Sequence, residues 1–204
     1  MVNVYSIDGV TPVVHPSAFI HPTASLIGDV VIGPDCYVGP GASIRADFGR
    51  FEMGRGSNFQ DNCTAHGFAG EDIILGEDCN IGHGAVIHGA VLRDRVLVGM
   101  NAVVMDGVVL NDDVLVAALA FVPAEMEVPR GVIAAGTPAR VLRELTDEEM
   151  EWKAAGNRDY HTLAVRCHET LEEVDALTEL DRPLPRIRIE GSKPLYQTRK
   201  DGQG

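Results

Sequence analysis

From residue 14 to residue 136 the chain repeats in sixes. Units include Ile20-His-Pro-Thr-Ala-Ser, Ile32-Gly-Pro-Asp-Cys-Tyr, Val38-Gly-Pro-Gly-Ala-Ser, Phe59-Gln-Asp-Asn-Cys-Thr, Leu75-Gly-Glu-Asp-Cys-Asn, Ile81-Gly-His-Gly-Ala-Val and Val98-Gly-Met-Asn-Ala-Val. An apolar residue leads each unit, Gly often follows, and a small or apolar residue takes the fifth place. Neither the helical period nor plain strand alternation produces this pattern. It marks a β-helix in which each hexapeptide supplies one short strand and one corner. The leading residue points into the prism, and Gly or Asn serves corners that need positive φ. One coil cannot bury its own apolar residues, so coils must stack, about 4.8 Å apart, to make a core together.

Composition agrees and excludes several functions. Aromatics are 5% and glycines number 22, so the predicted core is aliphatic with many tight corners. A hydrophobic share of 45% excludes disorder throughout. Asp and Glu total 30 against 17 Lys and Arg, a net charge of -13. A chain this acidic is a poor candidate for general nucleic-acid or anionic-membrane binding, which needs a basic face. No stretch is apolar and long enough to span a bilayer, and the first ten residues lack the basic-then-apolar pattern of a secretory signal. The expected location is the cytoplasm. Cys36, Cys63 and Cys79 share one repeat position, and with Cys167 they form no CxxC pair. That predicts small core residues rather than a metal or redox site.

The frame breaks in three places. Extra residues lie between Ile44 and Met53, four more lie between Ala65 and Leu75, and one is missing after Ile87. Insertions in a solenoid are expected as loops on the binding face. Pro138 should end the regular coil. Thr146-Asp-Glu-Glu then opens a helix with a capping box. Gly156 and Asn157 are expected to split that helix, its second part carrying Leu163, Cys167, Leu171, Val174 and Leu177. The organisation predicted is a β-helix domain over 1–140, a helical segment over 141–180 and a poorly ordered tail over 181–204, which carries six basic and three acidic residues.

Of seven histidines, His15, His21, His161 and His168 read as surface or packing residues. His66 and His88 each follow a leading residue, Ala65 and Ile87. Those leads are 22 residues apart, three hexapeptides plus the four-residue insertion. The two imidazoles therefore occupy one position on one side of the prism, a coil apart, within reach of one metal. His83 belongs to another face and could join them only from a neighbouring subunit. Three His ligands with an open position describe a catalytic metal site; the alternative is three unrelated surface histidines.

The segments Ala65-His-Gly, Asn80-Ile-Gly-His-Gly-Ala-Val-Ile-His-Gly and Val98-Gly-Met-Asn-Ala-Val-Val-Met-Asp-Gly-Val-Val resemble the γ-class carbonic anhydrase family. The resemblance implies a left-handed parallel β-helix followed by C-terminal helices, assembled as a homotrimer. It gives His66, His83 and His88 the ligand roles for zinc, with iron or cobalt as alternatives. It implies that Gln60 hydrogen-bonds the metal-bound water, that Arg45, Asp47 and Asp61 organise the interface beside the metal, and that Tyr160 reaches the site from the C-terminal helix. Thr11-Pro-Val-Val-His-Pro, Gln60-Asp-Asn-Cys, Glu151-Trp-Lys and Arg166-Cys-His, spread along almost the whole chain, resemble a branch of that family linked to phenylacetate degradation and carnitine operons. Its phenylacetate members imply hydrolysis of acyl-CoA thioesters, its carnitine members an accessory role in carnitine metabolism. CO2 hydration to bicarbonate is the alternative, set against an acidic loop reduced to Gly67-Phe-Ala-Gly-Glu-Asp, where Glu71 and Asp72 remain. Arg93, Arg95, Arg140 and Arg143 are candidates to hold coenzyme A phosphates, or else a solvated face. Two other classes stay open: a hexapeptide acyltransferase, and an accessory protein that keeps the metal as an interface staple.

Overall fold

A computed structural model describes residues 2–179, 186–187 and 191–201. The repeat builds a parallel β-solenoid with three faces. Phe19–Ile20, Tyr37–Val38, Asn58–Phe59, Asn80–Ile81, Leu97–Val98, Leu115–Val116 and Val132–Gly136 stack in order on the first face. Thr64–His66, Val86–His88, Val103–Val104 and Phe121–Val122 stack on the second; Ile73–Leu75, Val91–Leu92, Val109–Leu110 and Glu127–Val128 form the third. The leading residues fill the interior: Ile44, Ile81, Ile87, Leu92, Val98, Val104, Leu110, Val116 and Val122 are wholly buried. Because every coil contributes the same inward positions, one continuous core runs along the axis.

The small fifth residues behave as expected. Cys36, Cys63 and Cys79 are buried and free, and each thiol donates to a backbone carbonyl. Burial pushes Cys36 and Cys79 up to about 12 and Cys63 up to about 11, which keeps them unreactive thiols. The corner geometry is imposed by the coil more than by residue type: beside Asn62 and Asn101, Arg95 (φ 57°) and Leu119 (φ 63°) also adopt it.

Three expectations need correction. The extra residues after Ile44 do not form a loop. They lengthen a strand, Ser43–Met53, which turns a prism corner while paired with Ser25–Ile32. Buried Ile44 and Ala46 alternate with Arg45 and Asp47 before the corner, and buried Phe51 and Met53 alternate with Arg50 and Glu52 after it; the phase shifts between them, where Phe48 is exposed. The insertion after Ala65 does emerge as a loop. Second, Gly156 and Asn157 do not split the helix: α1 runs unbroken over Asp147–Thr170. Asn157 is buried against the prism, and those contacts override its weak helix propensity. Third, the helical pattern does not continue past Thr170; Leu171, Val174 and Leu177 lie outside it and are exposed.

The coil ends as Pro138 predicts. Ala139–Glu144 folds back antiparallel on Val132–Gly136, and Thr146 then caps α1 through the expected reciprocal pair with Glu149. Much of 181–204 lies outside the described residues. Within it, the Lys193 carbonyl accepts from the Trp152 indole, Ser192 bonds Asp159, and a short helix α2 spans Leu195–Asp201. Among the described residues no helix is long and apolar enough to cross a membrane.

Candidate metal centre

His66 and His88 stand directly opposite each other on paired parallel strands. Ala65 and Ile87 point inward and are buried, so the next residue on each strand must point out. The ring centroids are 5.5 Å apart at 65°. Asp106 Oδ1 lies 2.6 Å from His88 Nδ1. A carboxylate there draws the proton to Nδ1 and leaves Nε2 as a lone-pair donor. His66 is held differently: its Nε2 faces Asp47 Oδ1 at 3.1 Å, and Arg45 grips both oxygens of Asp47 at 2.9 and 2.7 Å. Burial would raise the Asp47 carboxyl, but the hydrogen bonds from Arg45 and His66 outweigh it and hold the carboxyl below its usual range.

His83 follows the first-face strand Asn80–Ile81, at a different corner. Its Nδ1 lies 2.5 Å from Asp61 Oδ2, the arrangement seen at His88, and the Tyr160 hydroxyl is 3.5 Å from its Nε2. Burial pushes the Tyr160 phenol above its ordinary value, so it remains protonated. Its ring packs 5.3 Å from Tyr37. Among the described residues of one chain, no three His, Cys, Asp or Glu side chains gather closely enough to hold a metal. The two stacked histidines and the lone one thus sit on separate edges of the same prism.

Gln60 is buried and firmly held. Its Nε2 donates to Asn58 Oδ1 at 2.9 Å and to Asn80 Oδ1 at 2.6 Å, while Asn58 Nδ2 donates to Asn157 Oδ1 at 2.7 Å. The sequence reading missed these asparagines. The available signal was their column: Phe19, Tyr37, Asn58, Asn80 and Leu97 stack under α1, and two amides interrupt an otherwise apolar row.

Two exposed aromatic rings flank the paired histidines. Phe48 packs 5.5 Å from His66 and Phe68 packs 5.1 Å from His88, although the two residues are 55% and 61% exposed. The shortened acidic loop still reaches this edge: a methyl group placed on Gly89 would meet Glu71 Oε2 at 2.6 Å and Asp106 Oδ1 at 2.7 Å. Asp72 instead accepts from the Arg50 backbone. The remaining histidines lie elsewhere, His15 and His21 on neighbouring hydroxyls, His161 on the Gly56 carbonyl and His168 against Phe19. Of the four arginines considered for phosphate binding, Arg95 is engaged by Asp113 and Arg143 by Glu149; Arg93 and Arg140 are exposed.

The repeat matches family models for the bacterial transferase hexapeptide over residues 11–46 and for the hexapeptide repeat of succinyl-transferase over 72–106 and 94–118. The chain is 45% identical over 184 residues to carnitine operon protein CaiE of Salmonella agona, covering 90% of this chain and 93% of that protein. The Salmonella newport counterpart is 47% identical with the same coverage. A hexapeptide transferase family protein from Anaplasma phagocytophilum superimposes with a TM-score of 0.77 at 33% identity, covering 80% of this chain and 96% of that one. A putative acetyltransferase from Bacillus cereus gives 0.78 at 28% identity, over 80% and 95% of the two chains.

Proposed function

The chain belongs to the hexapeptide-repeat family that includes the carnitine operon proteins CaiE, and on that premise we propose that it is a metal-dependent hydrolase of acyl-CoA thioesters. One observation carries the reading: two imidazoles paired in register 5.5 Å apart, with a third at another edge oriented by a carboxylate as His88 is. The site is proposed to form in a homotrimer, where His83 of one copy meets His66 and His88 of the next. Three neutral imidazoles suit zinc, with iron or cobalt as alternatives. Bound there, such a metal supplies a hydroxide nucleophile near neutral pH and polarises a carbonyl.

The chain's own residues do the positioning. Asp61 and Asp106 fix two of the rings, and Asp47 with Arg45 braces the third. Gln60 offers an acceptor that aligns the attacking oxygen. The Tyr160 hydroxyl offers a donor beside His83. Phe48 and Phe68 keep water off the paired histidines and contact an apolar acyl group. In the reaction, water adds to the thioester carbonyl, the C–S bond breaks, and coenzyme A leaves as the thiol with a carboxylic acid as the other product. CO2 hydration needs the same nucleophile and is the nearest alternative.

An acyltransferase is the second reading, favoured by the descriptions of the two structural neighbours as transferases. One experiment separates them: metal content, release of thiol from a panel of acyl-CoAs, and CO2 hydration by stopped flow, all on one preparation. The expected result is bound metal, thiol release without an added acceptor, and loss of both after chelation, restored by zinc. Activity that survives chelation and needs an acceptor identifies a transferase. Metal-replete protein that hydrates CO2 but leaves thioesters intact identifies an anhydrase. Metal with neither activity leaves the accessory role.

A further inference from the structure

Gln60 has an amide that can be placed either way round, and its two ends do opposite things. The oxygen accepts hydrogen bonds and the nitrogen donates them. The surrounding network decides between them, starting from a backbone carbonyl some distance away. Gly56 O can only accept. The Asn157 atom 3.0 Å from it also lies 3.1 Å from Asp78 Oδ1, and two oxygens outweigh the one nitrogen near it, His161 Nε2 at 3.1 Å, so that atom is the amide nitrogen. Asn157 must then turn its oxygen toward Asn58, so Asn58 faces it with nitrogen at 2.7 Å. The Asn58 oxygen is left for Gln60, which must answer with nitrogen at 2.9 Å. Asn80 Oδ1 takes the other proton of that nitrogen at 2.6 Å. Reversing Asn157 or Asn58 alone would set acceptor against acceptor on one side of that residue and donor against donor on the other, and reversing Gln60 would set its oxygen against the oxygens of Asn58 and Asn80.

Both hydrogens of Gln60 Nε2 are thus occupied. No hydrogen bond to Gln60 Oε1 exists among the described residues, yet no fully buried side-chain polar atom there lacks a partner. The oxygen therefore opens to solvent.

We infer that Asn157 of α1 is a positioning residue that, through Asn58, fixes the polarity of Gln60, so that the Gln60 carbonyl oxygen is presented to the site and selects a ligand atom carrying a hydrogen. Water or a hydroxyl fits that end, whereas a carbonyl oxygen or an anion does not. The inference uses the placement of Gln60 in the site proposed above; the polarity relay itself stands on the hydrogen bonds alone. It also gives α1 a reason to run unbroken through Gly156 and Asn157: a break there would uncouple the anchor from Gln60.

The chain has three glutamines, Gln60, Gln197 and Gln203, so protein labelled with 15N only at glutamine shows few side-chain amide pairs. The Gln60 pair is identified by its loss in Gln60→Met. In metal-free protein both Gln60 protons are expected to exchange slowly with water. Asn157→Leu is expected to accelerate that exchange about tenfold, the scale of one lost hydrogen bond, and to shift both signals. The same variant is expected to lower kcat on the thioester with KM little changed. Asn157→Ser, which shortens the side chain and admits water, gives a second test where the leucine variant fails to fold. Folded variants with unchanged Gln60 exchange overturn the relay, whatever the activity. Accelerated exchange in a protein that neither binds metal nor turns over a substrate leaves the relay intact and overturns the hydrolase reading.

Discussion

The coils from Val96 to Ala134 and those from Ser43 to Leu92 are built from the same hexapeptide, but they handle their outward positions differently. In the later coils the strand partners are regular, always 18 residues apart: Leu97 lies on Leu115, Val103 on Phe121 and Val109 on Glu127. In the earlier coils the spacing stretches to 22 between His83 and Asp61, then shrinks to 17 between Leu92 and Leu75. The carboxylates differ as well. Asp113 in the regular coils is held by Arg95 and Arg130, with Lys153 of α1 beside it. Asp47 and Asp61 of the earlier coils, and Asp106 reaching across from the first of the later ones, instead face His66, His83 and His88. Burial constrains only the leading and fifth positions, so a corner can gain or lose residues without breaking the stack. The regular coils continue the stack; the irregular corners carry Phe68 and Glu71 to the histidine edge.

This division predicts similar packing costs and unequal chemical ones. Ile87→Ala and Val104→Ala remove buried side chains stacked on the same face. Each is expected to cost about 2–4 kcal/mol in urea unfolding, the isoleucine somewhat more. Only Ile87→Ala should also weaken zinc binding, because His88 follows it on the strand. An equal loss of zinc affinity in Val104→Ala would break the division between regular coils and site.

The carboxylates sharpen it next. Asp61→Ala and Asp106→Ala are each expected to lower metal affinity by about 10–100-fold, the usual weight of a residue that orients a ligating imidazole. Calorimetric titration with zinc reads the effect. Asp113→Asn in the regular coils is expected to leave that affinity alone and to lower stability. Burial would raise the Asp113 carboxyl, but Arg95, Lys153 and Arg130 outweigh it and hold it low. Its contribution is therefore complete above the ordinary carboxylate pKa and lost as pH falls through the depressed folded value. The gap between wild type and Asp113→Asn should be present at pH 6 and close under strong acid. Lys153 runs the other way. Burial lowers it to about 8, so its cost persists below that pH and is relieved as pH rises toward 10.5. Lys153→Met should flatten the rise in stability across that interval.

The sequence disclosed what repetition or spacing could carry. The leading residues, the thiol column and the opposed His66 and His88 all follow from counting in sixes. The capping box at Thr146 and Glu149 was equally local. What escaped depended on contacts between distant segments. Asn157 carries a propensity that argues for a break, and its bonds to the distant Asn58, Gly56 and Asp78 keep α1 whole. Leu171, Val174 and Leu177 keep a helical spacing that no described surface rewards with burial. The strand Ser43–Met53 departs from expectation because extra length in a solenoid signals a loop. The alternation within it pointed to pairing.

The smallest expected effect concerns Phe68. Its ring is mostly exposed, so Phe68→Ala should change stability by less than about 0.5 kcal/mol, as at an ordinary surface position. A ring kept in the open beside His88 serves packing poorly, which leaves contact with substrate or with a second copy of the chain. These separate cleanly in one variant. A substrate contact raises KM for longer acyl groups while the assembly survives dilution; an interface contact makes sedimentation concentration-dependent. Phe121→Ala, on the same face in the regular coils, should do neither, and an equal effect there would show that the aromatic edge extends beyond the irregular corners.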